Sequence, residues 1–205
     1  MKDLLYKNQN RALHLSYFTV GYNIIECIIS MIAGFLAGST ALLSFGSDSF
    51  VESFSGIIMI WRFRKQGILS DEDEEKIEKK AAKLVGITFF IFAIYLLFES
   101  IRKLFFEDPP EPSLIGILIA IASIIIMPLL FYLKYKEGKR IGSKSLIADS
   151  KQTLACLFMS ISLLIGLGLN YLFNLWQADP LVGLFIVAFL FKEGYEVLFE
   201  EDEGD

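Results

Sequence analysis

The chain has 205 residues, 54% of them hydrophobic, a mean hydropathy of +0.53 and a formal net charge of −5 at pH 7. It is too apolar for an ordinary soluble domain, and its acidic balance argues against a nucleic-acid partner. Charged residues gather in short blocks, and between them lie six apolar runs at about 14–36, 41–61, 83–106, 113–133, 145–172 and 179–199. Each run is close to the roughly 20 residues that cross a bilayer core. The expectation is an all-α polytopic membrane protein: a six-helix transmembrane domain over 1–199 and an acidic tail over 200–205, with no room for a sizeable soluble domain.

The first span follows "MKDLLYKNQNRALHLSYF", which lacks a small-residue cleavage site and so reads as no signal peptide. His14, the only histidine, sits at its membrane edge, and Glu26 sits mid-span with Asn23 three residues earlier. The second span contains "SFGSDSFVES", where Asp48 and Glu52 are four residues apart and share one helix face. "SDEDEEKIEKKAAK" then opens the third helix, with Ser70 as its cap and i,i+4 pairs of Glu72 with Lys76 and Glu75 with Lys79. This charge run reads as a solvated face. Glu99 lies near Arg102 at the far end of that span, and "DPPEP" at 108–112 makes an external turn. Pro128 falls inside the fourth span as a candidate kink. The fifth span carries Asp149, Lys151, Gln152 and Cys156, and Asp179 with Pro180 opens the sixth. The two cysteines, Cys27 and Cys156, are mid-span and form no disulfide framework; Cys27 reads as a packing residue.

Lysine and arginine fall at the N-terminus, after the second span and after the fourth, which places both termini in the cytoplasm by the positive-inside rule. A gapless internal echo relates "STALLSFGSDSFVES" (39–53) to "SKSLIADSKQTLACL" (143–157), laying Asp48 on Gln152 and Glu52 on Cys156. Repeated halves around a midplane site are a transporter design.

An ionised carboxylate in hydrocarbon costs several kcal/mol, so two on one face must meet a partner, a cavity or a cation. If spans two and five pack together, Asp48, Glu52, Gln152 and Cys156 converge. Two carboxylates and a thiolate, with the Gln152 oxygen or water as fourth ligand, suit Zn²⁺ or a similar divalent cation. The alternative is that the acids hydrogen-bond across helices or carry protons. Glu26 is a third carboxylate for the site or a proton carrier; Asp149 is either neutralised by Lys151 or an entrance site for the cation.

"STALLSFGSDSFVESFSG" and "SLIADSKQTLAC" together resemble the cation diffusion facilitator superfamily, closest to the short branch that includes the vesicular zinc-transporting transmembrane proteins. "ADPLVGLFIVAFLFKEGYE" resembles the family's sixth helix. The resemblance implies a zinc site built from i,i+4 pairs on helices two and five. Its second-helix pair falls on Asp48 and Glu52, and its fifth-helix His and Asp fall on Gln152 and Cys156, a softer set without histidine. It also implies proton antiport, spans one, two, four and five rocking around the site, and a homodimer. With the chain ending at Asp205, the family's cytoplasmic metal-binding domain is absent, so the dimer is expected through membrane helices.

The sequence therefore reads as a divalent-cation exporter, Zn²⁺ first, in the plasma membrane, working by alternating access. The proton acceptors would be Glu26, Asp48, Glu52 or Cys156. No nucleophile, base and orienter set points to an enzyme. The rivals are a membrane-embedded metal sensor that binds without flux, and a passive cation pore.

Overall fold

The computed structural model describes residues 2–37, 40–65, 70–106, 114–173, 175 and 177–199. It contains six helices: α1 (Lys2–Ala37), α2 (Thr40–Phe63), α3 (Asp71–Phe106), α4 (Leu114–Ile141), α5 (Lys144–Phe173) and α6 (Ala178–Phe199). The six apolar runs each became one helix. The turn at 108–112 and the acidic tail lie outside the described residues.

α1, α2, α5 and α4 pack in a ring of neighbours, and α3 pairs with α6 against α2 and α5. The molecule is apolar on the outside and polar within. On α1 the buried residues Ser16, Thr19, Asn23, Glu26 and Ser30 recur every three or four positions, which is one helix face. Ile24, Ile25, Ile28, Ile29 and Ile32 point outward and are exposed. Such a surface is stable only against lipid, which makes this an all-α membrane protein. Among the described residues three helices are long and apolar enough to span by length and composition alone: Gln9–Leu36, Glu72–Phe106 and Leu114–Ile141. α2 and α5 carry dense inward polar faces.

The apolar core lies between α3, α6 and the facing halves of α2 and α5, around Phe89, Phe92, Met59, Leu146 and Leu190. Ser70 caps α3: its hydroxyl accepts from the Asp73 amide at 3.2 Å, and the pairs of Glu72 with Lys76 and Glu75 with Lys79 form at 2.8 and 3.1 Å. α4 continues through Pro128 to Ile141. It ends on Gly142, whose φ of +67° suits glycine, and the Ser143 amide returns to the Gly138 carbonyl at 2.9 Å. Ser143 then caps α5 by accepting from the Leu146 amide at 3.1 Å. α6 begins at Ala178, slightly earlier than the expected start at Asp179, which keeps Pro180 in the first turn, where no helical N–H is needed.

Not all of the α3 charge run is solvated. Glu78 turns inward, pairs with Arg62 of α2, and accepts from the Ser145 amide at 2.8 Å and from the Ser145 and Ser143 hydroxyls at 2.8 and 3.0 Å. One carboxylate thus ties α2 and α3 to the N-terminus of α5, where the helix dipole favours an anion.

Candidate metal centre

α1 and α2 run antiparallel in close contact. A Cβ on Gly46 would lie 3.1 Å from side-chain atoms of Ser30 and Met31, so a larger residue would crowd this contact. Ser49 bonds Glu26, and Gly56 faces Val20. That register sets Asn23 level with Glu52 and Ser53. α2 and α5 are also antiparallel: Ser55 reaches Asp149, Glu52 stands beside Cys156, and Phe45 packs with Leu163.

The packing brings Glu52 and Cys156 together, with Asp48 and Glu26 within electrostatic reach of the same thiol. Asp48, Glu52, Gln152, Cys156, Glu26 and Asp149 are all buried. They are not equivalent in their surroundings. Both Glu52 oxygens, both side-chain polar atoms of Asn23, and the Gln152 Nε2 are buried without a hydrogen-bond partner. Each orphaned group costs about 1–3 kcal/mol, more if charged. By helix register Asn23 of α1 lies level with Glu52 of α2, and Gln152 lies one turn from Cys156 on α5.

The Thr88 hydroxyl lies 2.7 Å from the Val85 carbonyl and 2.9 Å from the Gln152 Oε1. A hydroxyl has one proton, and a carbonyl can only accept. With that proton on Val85, Thr88 accepts from Gln152. A half-turn of the amide, which exchanges only its O and N positions, would place Nε2 on Thr88 and Oε1 where Nε2 now lies.

Glu26 and Asp149 are already served. Glu26 accepts from Tyr22 at 3.0 Å, from Ser49 at 2.7 Å and from Ser123 of α4. Asp149 pairs with Lys134 of α4 at 2.9 Å and accepts from Ser55. The neutralisation of Asp149 by Lys151 does not form: Lys151 lies on the other face of α5, against Glu193 and Glu196 of α6. Among the described residues no three His, Cys, Asp or Glu side chains stand close enough to form a ready-made metal shell. A cation held here would draw Asp48 and Gln152 toward the pair of Glu52 and Cys156.

A cavity of about 20 Å³, room for about one water, touches Asp48 and runs past Ser44 and Glu99 toward the start of α6. Glu99 is held there by Arg102 at 2.8 and 3.1 Å and by Ser44 at 2.6 Å, as the sequence suggested for Arg102. His14 is exposed on α1, a dozen residues after the helix start, with its Nδ1 2.6 Å from the Asn10 carbonyl. Both cysteines are free thiols, and Cys27 is only half-buried. Sequence reasoning missed Ser49, Ser123 and Thr88, which carry the hydrogen bonds around the acids. Serine and threonine occur throughout these spans, and only the packing distinguishes those that matter.

The fold and the centre define a class: a polytopic helical membrane protein with an acidic, thiol-bearing site between its second and fifth helices. The cation efflux transmembrane domain family matches residues 16–201, and the chain belongs to that family of membrane transporters, the cation diffusion facilitators. Transmembrane protein 163 of Xenopus laevis is 24% identical over 94% of this chain and 68% of its own length. The cation-efflux pump FieF of Shewanella oneidensis is 24% identical over 82% of this chain and 58% of its own. A cadmium, cobalt and zinc/H(+)-K(+) antiporter of Bacillus subtilis is 23% identical over 91% and 60%. The chain therefore spans about three fifths of those two bacterial relatives.

Proposed function

We propose that this protein exports a divalent metal cation, Zn²⁺ foremost, from the cytosol across the plasma membrane by alternating access. The reading rests on one observation: the buried Glu52 carboxylate stands beside the Cys156 thiol, with Asp48 and Glu26 in electrostatic reach of it. Carboxylates, amide oxygens and a thiolate are a donor set for a borderline dication. Family membership and the similarity to a cation-efflux pump and a cadmium, cobalt and zinc antiporter support cation transport.

In this reading Asp48, Glu52, Gln152 and Cys156 hold the ion, and Asp149 takes it up nearer the cytoplasm. Glu26, hydrogen-bonded by three hydroxyls and next to the site, carries the counter-transported proton. Both termini are cytoplasmic, and two copies associate through membrane helices.

The test is Zn²⁺ flux into proteoliposomes with and without a pH gradient. Wild type should carry Zn²⁺ faster with an opposing proton gradient, and Asp48→Ala or Glu52→Ala should abolish flux in a protein that still purifies as a folded species. Wild-type rates in both variants would place the site elsewhere. Zn²⁺ binding without flux would favour a sensor, and pH-insensitive, channel-like flux a pore.

A further inference from the structure

Lys134 is a buried charge that the transport reading leaves without a role. It is fully buried near the end of α4. Its ammonium lies 2.9 Å from Asp149 Oδ2 and donates to Thr153 Oγ1 at 2.9 Å. Asp149 is equally buried and is bonded by Ser55, so α2, α4 and α5 meet at this pair. A lysine near a helix end ordinarily extends its stem toward the headgroups; this one is drawn inward.

Its position is specific. Thr153 adjoins Gln152, and from Asp149 to Cys156 is about 10 Å along the α5 axis at 1.5 Å per residue. Toward the α4–α5 turn, Met59, Phe63, Val85 and Leu146 belong to the apolar core, while Arg11, His14, Leu15, Phe18, Leu133 and Glu137 line a cavity of about 650 Å³ between α1 and α4. Toward the other end a cavity reaches Asp48. The buried Lys134–Asp149 ion pair therefore stands between the centre and the Gly142 end of the bundle.

An ammonium and a dication compete for a carboxylate, and in a low-dielectric interior they repel each other strongly at a few ångströms. We propose that Lys134 is a tethered cation that latches this side of the metal path. While it holds Asp149 the side is shut, and Asp149 becomes a metal ligand only once the ammonium leaves. The proposal rests on the transporter reading above, but its test does not require flux.

Two measurements suffice, both in a Cys27→Ala background. The first is the rate at which a membrane-impermeant maleimide, added on the side of the α4–α5 turn of oriented proteoliposomes, alkylates Cys156. The second is Zn²⁺ binding to detergent-purified protein by equilibrium dialysis. Lys134→Met should raise the alkylation rate at least fivefold and tighten Zn²⁺ binding at least fivefold, because Asp149 is released. Lys134→Met with Asp149→Asn should keep the fast alkylation and lose the added affinity. Lys134→Arg should behave as wild type. Should Lys134→Met fail to fold, the double variant carries the test, since it leaves no buried charge uncompensated. A folded double variant whose alkylation rate equals wild type overturns the latch, whatever the flux. Fast alkylation in a protein that moves no Zn²⁺ supports the latch and sinks the transporter reading instead.

Discussion

Glu26 of α1 and Ser49 of α2 are joined by a 2.7 Å hydrogen bond donated by the serine hydroxyl, and Ser123 of α4 donates to the other carboxylate oxygen. The acid thus clamps three helices of the four that ring the centre. A proton bound to Glu26 must loosen this clamp, since a protonated oxygen no longer accepts as strongly. Glu26→Gln cannot change charge and should flatten the pH dependence of Zn²⁺ flux, whereas Glu26→Asp keeps a titratable group and should preserve it. Superimposable pH profiles for wild type and Glu26→Gln would leave Glu26 a structural residue. Ser49→Ala removes one bond to a charged acceptor and should cost about 1.5–3 kcal/mol of stability, read as a lowered melting temperature in detergent.

Glu78 holds Arg62, Ser143 and Ser145 at one end of the bundle. Glu78→Ala leaves a largely buried guanidinium uncompensated and uncaps α5, a loss of about 3–5 kcal/mol by analogy with broken buried pairs. Glu78→Gln keeps an acceptor for the Ser145 amide and should lose about half as much. Thermal melts in one detergent compare the three. A Glu78→Ala protein that melts with wild type would mean that the α4–α5 turn is held by Gly142 and the Ser143 cap alone.

Six helices were legible because long apolar runs have few alternatives in a bilayer. Helix ends were less so. α1 starts at Lys2 and α4 runs to Ile141, both past their apolar runs, because polar helix continues beyond the hydrocarbon at no cost. The pairing of Glu52 with Cys156 was foreseeable from the i,i+4 echo between α2 and α5. Lys134 and Glu78 were not. Each sits in a charged block that reads as solvated, and the partner that draws it inward lies on another helix, Asp149 in one case and Arg62 in the other. A one-dimensional charge pattern holds no record of such partners.

The proposed orientation in the membrane rests on the lysine and arginine blocks and has a direct check. Lys139 is exposed near the end of α4. In a background with Cys27→Ala and Cys156→Ala, Lys139→Cys should react with an impermeant maleimide only after cells are permeabilised. Pro110→Cys, in the segment between α3 and α4, should react in intact cells. Labelling of Lys139→Cys from outside would invert the topology and with it the proposed direction of export.

Cys156 separates a zinc site from one for harder cations. It stands where the relatedness to cation diffusion facilitators leads one to expect an oxygen donor, and it lies beside Glu52. A thiol gives up its proton to bind Zn²⁺, so binding should release protons and weaken as pH falls. Bound metal should also shield the sulfur from a small membrane-permeant alkylating reagent. In a Cys27→Ala background, saturating Zn²⁺ should slow alkylation of Cys156 at least tenfold. Adding Glu52→Ala should remove most of that protection, because the two side chains share the ion. Mg²⁺, which prefers oxygen ligands, should protect little. If Zn²⁺ gives no protection while flux persists, Cys156 is a packing residue. The cation is then held by Asp48, Glu52, the Gln152 oxygen and water, a set of hard donors that would shift the preferred cargo away from Zn²⁺.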